Sequence, residues 1–367
     1  MTAAGGVPAA PPAAVELIRV RVPLRTPLRA AHGTETVRDV VLVRVVDRSG
    51  SEGWGECSAL SRPTYSHEYT AGAWALLVDE LVPALLSGEP SPVTGHPMAR
   101  AAIATATADL EARAVGCSLA TMLGGTRPEV QTTAVLGITG DPDTLVARVA
   151  EARDAGAAMV KLKIRPGLDA GPLGAVRAAF PDLALAADAN GSYATTEEVP
   201  VAELDRLGLA YLEQPLPADD LAGSARLAAR MTTPVALDES VGSNATFDTA
   251  LALGALRVLN VKPARLGGPR EAVALATRAA GLGVAVFVGG MVETGVGRAA
   301  ALAVASVPVF GLPTDLGPSS RYFTRDLTPP IELRDGRLPV PTGVGLGVRP
   351  SPEALAAVTV DRLLLRA

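Results

Sequence analysis

Through the middle of this 367-residue chain, short apolar runs end in polar residues, and those residues recur at a nearly constant interval. The runs are VKLKI, LALAADAN, LAYLEQPL, VALDES, VLNVKPARLGG and VAVFVGGMVET. Lys163 to Asp188 spans 25 residues, Asp188 to Glu213 25, Glu213 to Asp238 25 and Asp238 to Lys262 24. An Ala/Leu-rich helical stretch follows each run. Successive βα units of this kind require a parallel sheet, and six or more in series favour closure into a (β/α) barrel over an open Rossmann sheet. The active site of such a barrel lies at the carboxyl ends of its strands, where each of these polar residues falls. An open doubly wound sheet is the alternative, but the G-x-G-x-x-A match at residues 295–300 comes late and follows no first strand, and no G-x-x-x-x-G-K-[ST] occurs.

Lysine usage singles out the same strand ends. Of 33 basic residues only Lys161, Lys163 and Lys262 are lysines, and 33 − 3 leaves 30 arginines. Either residue serves as solvated surface charge, but arginine stays protonated whereas a buried lysine can lose its proton and act as a base. Residues two apart in a strand share a face, so Lys161 and Lys163 are expected to point together into the barrel mouth.

Between the lysines in chain order stand three acids, Asp188, Glu213 and Asp238, on three successive strands. Three ionised carboxylates that close would repel unless a cation neutralised them. All-oxygen ligation without His or Cys points to Mg²⁺ or Mn²⁺ and away from zinc. The bland alternative is that each acid caps a helix or pairs with an arginine. A lysine beside a divalent ion and a second lysine is expected to have a lowered pKa, which suits it to take a proton. Deprotonation of carbon α to a carboxylate needs this combination, a base and positive charge to hold the enediolate.

Residues 15–128 read differently. VELIRVRVPL and VRDVVLVRVVDRSGSEGWGE have the form of strands and turns, then GAWALLVDELVPALLSG and MARAAIATATADLEARAVG take up helical spacing. This is expected to be an α+β domain, preceded by a flexible tail at 1–14 and followed by the barrel at 129–318 and a C-terminal segment at 319–367. The tail lacks the basic start and apolar core of a signal peptide, and runs such as residues 299–313 fall short of the roughly 18 residues that cross a bilayer. Two isolated cysteines, Cys57 and Cys117, fit a reduced compartment. A formal charge of −5 without a basic tract gives no footprint for nucleic acid or anionic lipid. A soluble cytoplasmic protein acting on a small carboxylate is the expectation; oligomeric state stays open, a homo-oligomer included.

Together, K-x-K, D-x-N, E-Q-P, D-E-S and N-x-K-P at this interval resemble the enolase superfamily in its muconate lactonizing branch. The likeness extends over nearly the whole chain, from GWGE through the helix ending LGG to the C-terminal stretch. It implies a modified TIM barrel, (β/α)7β, with an N-terminal α+β capping domain. RVPLRTPLR, EGWGECSAL, KLKIRPG, NVKPARLGG, GGMVETGVGRA and LPTDLGPSSRYF look most like the group of o-succinylbenzoate synthases and N-succinylamino acid racemases. That resemblance implies Lys163 as acid/base, Lys262 on the opposite face, Asp188, Glu213 and Asp238 on Mg²⁺, and Lys161, Asn190 and Glu239 in support. It also implies that Arg265 tunes Lys262 for racemisation, and that the synthase reaction belongs to menaquinone biosynthesis.

Other features prune relatives. His32, His67 and His96 all precede the barrel, so a His–Asp base is not expected, and Asp315 lacks the acidic partner two residues on that dipeptide epimerases carry. Val135 stands where a small hydroxyl residue is expected in this group. Specificity is expected from HGTETVRD and SALSRPTYSHEY as lids, with Gly290, Met291 and Val292 on the far wall; ordinary turns and a buried strand end are the alternative. Outside the resemblance, a Schiff-base aldolase would use an inward lysine without needing three acids, and a non-catalytic metal-binding barrel would keep the fold but give no reason to spare three lysines.

Overall fold

The structure, a computed structural model, describes residues 10–30, 33–137 and 141–367. Alternating apolar residues build an antiparallel sheet from β1 (Ala14–Ala30), β2 (Gly33–Val46) and β3 (Glu52–Cys57). Ala13 N donates to Val46 O, so the end of the expected tail pairs with the sheet; residues 1–9 lie outside the described residues. On this sheet packs the helix Pro97–Ala114, and the contact is backbone to backbone. A Cβ at Gly53 would lie 2.1 Å from Ala106 O, and one at Gly55 2.0 Å from Ala102 O. The glycines of EGWGEC thus let an alanine-rich helix face settle directly on β3.

Thr70–Ser87 corrects one expectation, because its 18 residues are long and apolar enough to cross a membrane by length and composition. The run is interrupted by a wider turn at Leu77–Leu81, and it lays Ala73, Leu77, Leu81 and Val82 into the cap core.

A two-stranded ribbon pairs β4 (Glu129–Gln131) with a strand that arrives much later in the chain. Seven parallel strands then follow in sequential order: β5 (Thr133–Leu136), β6 (Met159–Lys163), β7 (Leu185–Asp188), β8 (Leu212–Glu213), β9 (Val235–Leu237), β10 (Val258–Val261) and β11 (Ala285–Val288). Residues 312–315 close the curl. Leu312 N and Asp315 N donate to Val286 O and Val288 O on one side, while Thr314 N donates to Gln131 O and Thr133 N to Thr314 O on the other. This is the (β/α)7β barrel that the family resemblance implies, with residues 312–315 bridging its first and last parallel strands in place of a full eighth strand. The chain then runs through β12 (Arg337–Pro339), which pairs with β4, and ends in β13 (Thr359–Arg366), antiparallel to β1 in the cap sheet.

Candidate active site

Parallel register sets the height of each polar residue in the barrel. Lys163 pairs with Asp188 across β6 and β7, and Asp188 with Glu213 across β7 and β8, so three polar side chains stand at one level. Asp238 and Lys262 follow the ends of β9 and β10 directly. A cavity of about 180 Å³ opens at this end, lined by Lys163, Asp188, Asn190, Glu213 and Lys262, with Leu60 and Tyr65 reaching in from the cap. Gly290, Met291, Val292, Val135 and Asp315 also line it, as do Gly137, Arg321 and Tyr322.

Within the cavity the charges are interleaved. Lys161, only 1% exposed, donates to Glu213 Oε2 at 2.7 Å and Asp315 Oδ2 at 2.6 Å, and lies 3.5 Å from Asp188 Oδ2. Lys163 donates to Asp188 Oδ2 and Asn190 Oδ1, both at 2.6 Å, and at 28% exposure is the lysine most open to the cavity. Asn190 in turn donates to Glu239 Oε1 at 3.0 Å. Lys262 donates to Asp238 Oδ2 at 2.7 Å and to the Tyr65 hydroxyl at 3.0 Å. Arg265 reaches Asp238 Oδ1 at 2.5 Å and also contacts the Tyr65 hydroxyl.

Among the protein's own groups, carboxylates dominate the surroundings of Lys161 and Lys262. Burial works to depress Lys161 and Lys262, but Asp315, Glu213 and Asp188 around the first and Asp238 beside the second outweigh it and raise both well above the usual value. Direct ion pairs override lysine–lysine repulsion at these distances. Lys161 is therefore a bridging cation. For the acids, burial pushes Glu213 up to about 8 against Lys161, and Glu239 up to about 7 with Asp238 adding to the rise. Asp188 and Asp238 are also penalised by burial, yet Lys163 and Lys161, and Arg265 and Lys262, hold them below the ordinary carboxylate value.

Those directions bear on the metal expectation. Among the described residues no three acids, histidines or cysteines are gathered as a finished cation cage, because ammonium and guanidinium groups pair with the carboxylates. The donor set nonetheless fits a hard divalent ion. All three acids are buried, Glu213 favours a proton where it stands, and Glu239 keeps a buried Oε2 with no hydrogen-bond partner. A divalent charge would relieve the same excess of negative charge that the proton relieves.

Several residues that the sequence reading left without a role belong to the site. Asn260 donates to Glu213 Oε1 at 2.7 Å, and Gln214 Oε1 accepts from Asp238 N at 3.0 Å and Ser240 N at 3.2 Å. Asp315 is no bystander, since it holds Lys161 and accepts from Gly290 N at 3.0 Å. Its signal lay in the strand-end interval, as Lys262 to Asp315 is 53 residues, about two periods. Of the expected lids, SALSRPTYSHEY contributes Leu60 and Tyr65, whereas the end of HGTETVRD supplies the buried anchors Arg38 and Asp39; His32 lies outside the described residues.

Residues 144–354 match the enolase C-terminal domain-like family, and residues 13–124 match the mandelate racemase / muconate lactonizing enzyme N-terminal domain. The chain belongs to the enolase superfamily. This superfamily member is 44% identical to an N-succinylamino acid racemase from Amycolatopsis sp. over 95% of this chain and 98% of the relative. It is 39% identical to an o-succinylbenzoate synthase from Geobacillus kaustophilus over 91% and 92%. A solved enolase superfamily structure from Listeria innocua has a TM-score of 0.93 with it at 32% identity, covering 97% of this chain and 99% of that one. Like these relatives, the protein is an enzyme.

Proposed function

We propose that this enolase superfamily enzyme is an o-succinylbenzoate synthase, a carbon–oxygen lyase of menaquinone biosynthesis that begins by removing the proton α to a substrate carboxylate. The observation that carries the reading is the placement of Lys163 and Lys262 in one cavity, at the ends of strands β6 and β10, with the acids of the three intervening strand ends between them in the strand order. Asp188, Glu213 and Asp238 would hold Mg²⁺ or Mn²⁺. When bound, such an ion supplies positive charge that makes the α-carbon of a carboxylate acidic.

Lys163 in its neutral form takes the α-proton on its Nζ, and the C–H electron pair passes into the carboxylate as an enediolate. That pair returns to form the ring double bond as the C–O bond of the leaving hydroxyl breaks. The Lys163 ammonium gives its proton to the departing hydroxide, which leaves as water and restores the neutral amine. Lys262, paired with Asp238, stays protonated and lends positive charge to the enediolate. Lys161 keeps Glu213 and Asp315 in place. Asn190 Oδ1 accepts from Lys163 Nζ and so helps to orient it.

Racemisation of N-succinylamino acids by the same two lysines is the second reading, favoured by the direct contact of Arg265 and Tyr65 with the Lys262–Asp238 pair and by the name of the 44% identical relative. There Lys163 and Lys262 alternate as base and acid on the two faces of the α-carbon. Assaying the purified enzyme with Mg²⁺ on the hydroxy-carboxylate precursor of o-succinylbenzoate and on single enantiomers of N-succinylamino acids separates the readings. Formation of o-succinylbenzoate is expected, and its absence beside rapid racemisation would reverse the order of the two.

A further inference from the structure

Arg38 is fully buried, yet it lies in β2 of the cap and touches none of the acids that line the cavity. Its guanidinium is spent almost wholly on backbone carbonyls. Nε donates to Val292 O at 3.1 Å, and Nη2 donates to Ser58 O at 2.9 Å, Met291 O at 3.3 Å and Ala59 O at 3.5 Å. Nη1 donates to Glu35 Oε2 at 3.2 Å, and the other oxygen of Glu35 accepts from Ser61 N and Ser61 Oγ. One cation therefore joins three pieces of chain: β2, the cap segment that leads to Leu60 and Tyr65, and the barrel wall at residues 290–292.

The wall needs that grip. Val292 has φ 57, a left-handed backbone that a β-branched residue adopts only under outside constraint. In extended chain successive carbonyls face opposite ways, and the turn at Val292 brings those of Met291 and Val292 onto the same guanidinium. Met291 itself packs into the hydrophobic core of the cap, not of the barrel. From the barrel side, Gly290 N is held by Asp315, the partner of Lys161. The wall thus hangs between the charged cluster and the cap.

We propose that Arg38 is a positioning residue that ties the rim segment carrying Leu60 and Tyr65 to the wall at residues 290–292, and so sets how tightly the mouth holds a substrate. This rests on the reading of the cavity as the substrate site. Arg38→Lys keeps the charge but cannot span Ser58, Met291 and Val292 with a planar fork. KM for whichever carboxylate is turned over is expected to rise about ten-fold while kcat changes less than about three-fold, the signature of lost ground-state and transition-state binding alike. Amide hydrogen exchange is expected to quicken together at residues 58–65 and 290–294 while β8 is unchanged. An unchanged KM, or a fall in kcat at constant KM, would overturn the proposal, as would exchange that quickens at one segment alone.

If Arg38→Lys does not fold, Glu35→Ala decides, since it leaves the carbonyl bonds of Arg38 and removes the Nη1–Glu35 bond together with the tie to Ser61. Faster exchange at residues 60–65 supports the tie, and unchanged exchange there overturns it. A wild-type protein that turns over neither substrate refutes the proposed function but leaves the exchange comparison, which needs no substrate, to judge the role of Arg38.

Discussion

In the proposed mechanism Lys163 is the base, and its replacement gives the plainest single-residue test. Lys163→Ala is expected to lower kcat by about 10²–10⁴-fold, with circular dichroism unchanged because the side chain is the least buried of the three lysines. Retained turnover would move the base elsewhere. Gly289→Ala acts at one remove. A Cβ there would lie 2.0 Å from Asn260 Oδ1, forcing away the amide that donates to Glu213. Loss of such an outer hydrogen bond is expected to weaken metal binding about 10–100-fold, and calorimetric titration with Mg²⁺ reads it; an unchanged affinity would show that Glu213 needs no such support. At this scale the lysines and the three acids were legible in the sequence because a strand-end interval repeats them. Asn260 and Gln214 were visible only as letters of N-x-K-P and E-Q-P, and Tyr65 only as part of a lid segment; their roles were not legible, since the partners lie on another strand or, for Tyr65, in the other domain.

At the scale of elements, the cap is joined to the barrel by buried polar groups whose worth can be measured. Glu56, at the end of β3, accepts from Thr294 N, Thr294 Oγ1 and Gly297 N, and so caps the barrel helix Gly295–Ala305 from another domain. Burial pushes its carboxyl up to about 7, against the Thr294 hydroxyl bond, which lowers it. A raised folded-state value means that the native protein holds this proton more tightly than the unfolded chain, so the associated stability is complete below the ordinary value of 4.5 and is lost as pH rises toward about 7. Relative to Glu56→Gln, the wild type is expected to lose about 3 kcal/mol between those pH values. Urea denaturation at pH 4.5 and 7.5 checks this, and parallel pH profiles would contradict it. Gly55→Ala probes the other joint. Its new methyl would meet Ala102 O, and a destabilisation of about 1–3 kcal/mol is expected, read by thermal melting; an unaltered midpoint would mean that helix and sheet can separate freely. The GWGE motif was visible in the sequence, but its reason was not, because close backbone approach leaves no mark except the glycines themselves.

For the molecule as a whole, the barrel was legible since every βα unit repeats the same chemistry, whereas closure was not, since residues 312–315 form bonds to both neighbouring strands without an apolar run to announce them. The whole-molecule consequence is that cap and barrel each supply part of one wall, Leu60 and Tyr65 from the first and residues 290–292 from the second. Removal of divalent ions with EDTA is expected to abolish turnover and Mg²⁺ to restore it, with the fold retained because ammonium groups already pair with the acids. The most direct test of the account is deuterium labelling at the reacting carbon: the hydroxy-carboxylate precursor of o-succinylbenzoate, carrying hydrogen or deuterium at the carbon α to its carboxylate, is turned over with Mg²⁺ under single-turnover conditions. The wild type is predicted to form o-succinylbenzoate more slowly from the deuterated precursor and Lys163→Ala to form none from either; a product that keeps the α-deuterium, or formation independent of Lys163, would contradict it.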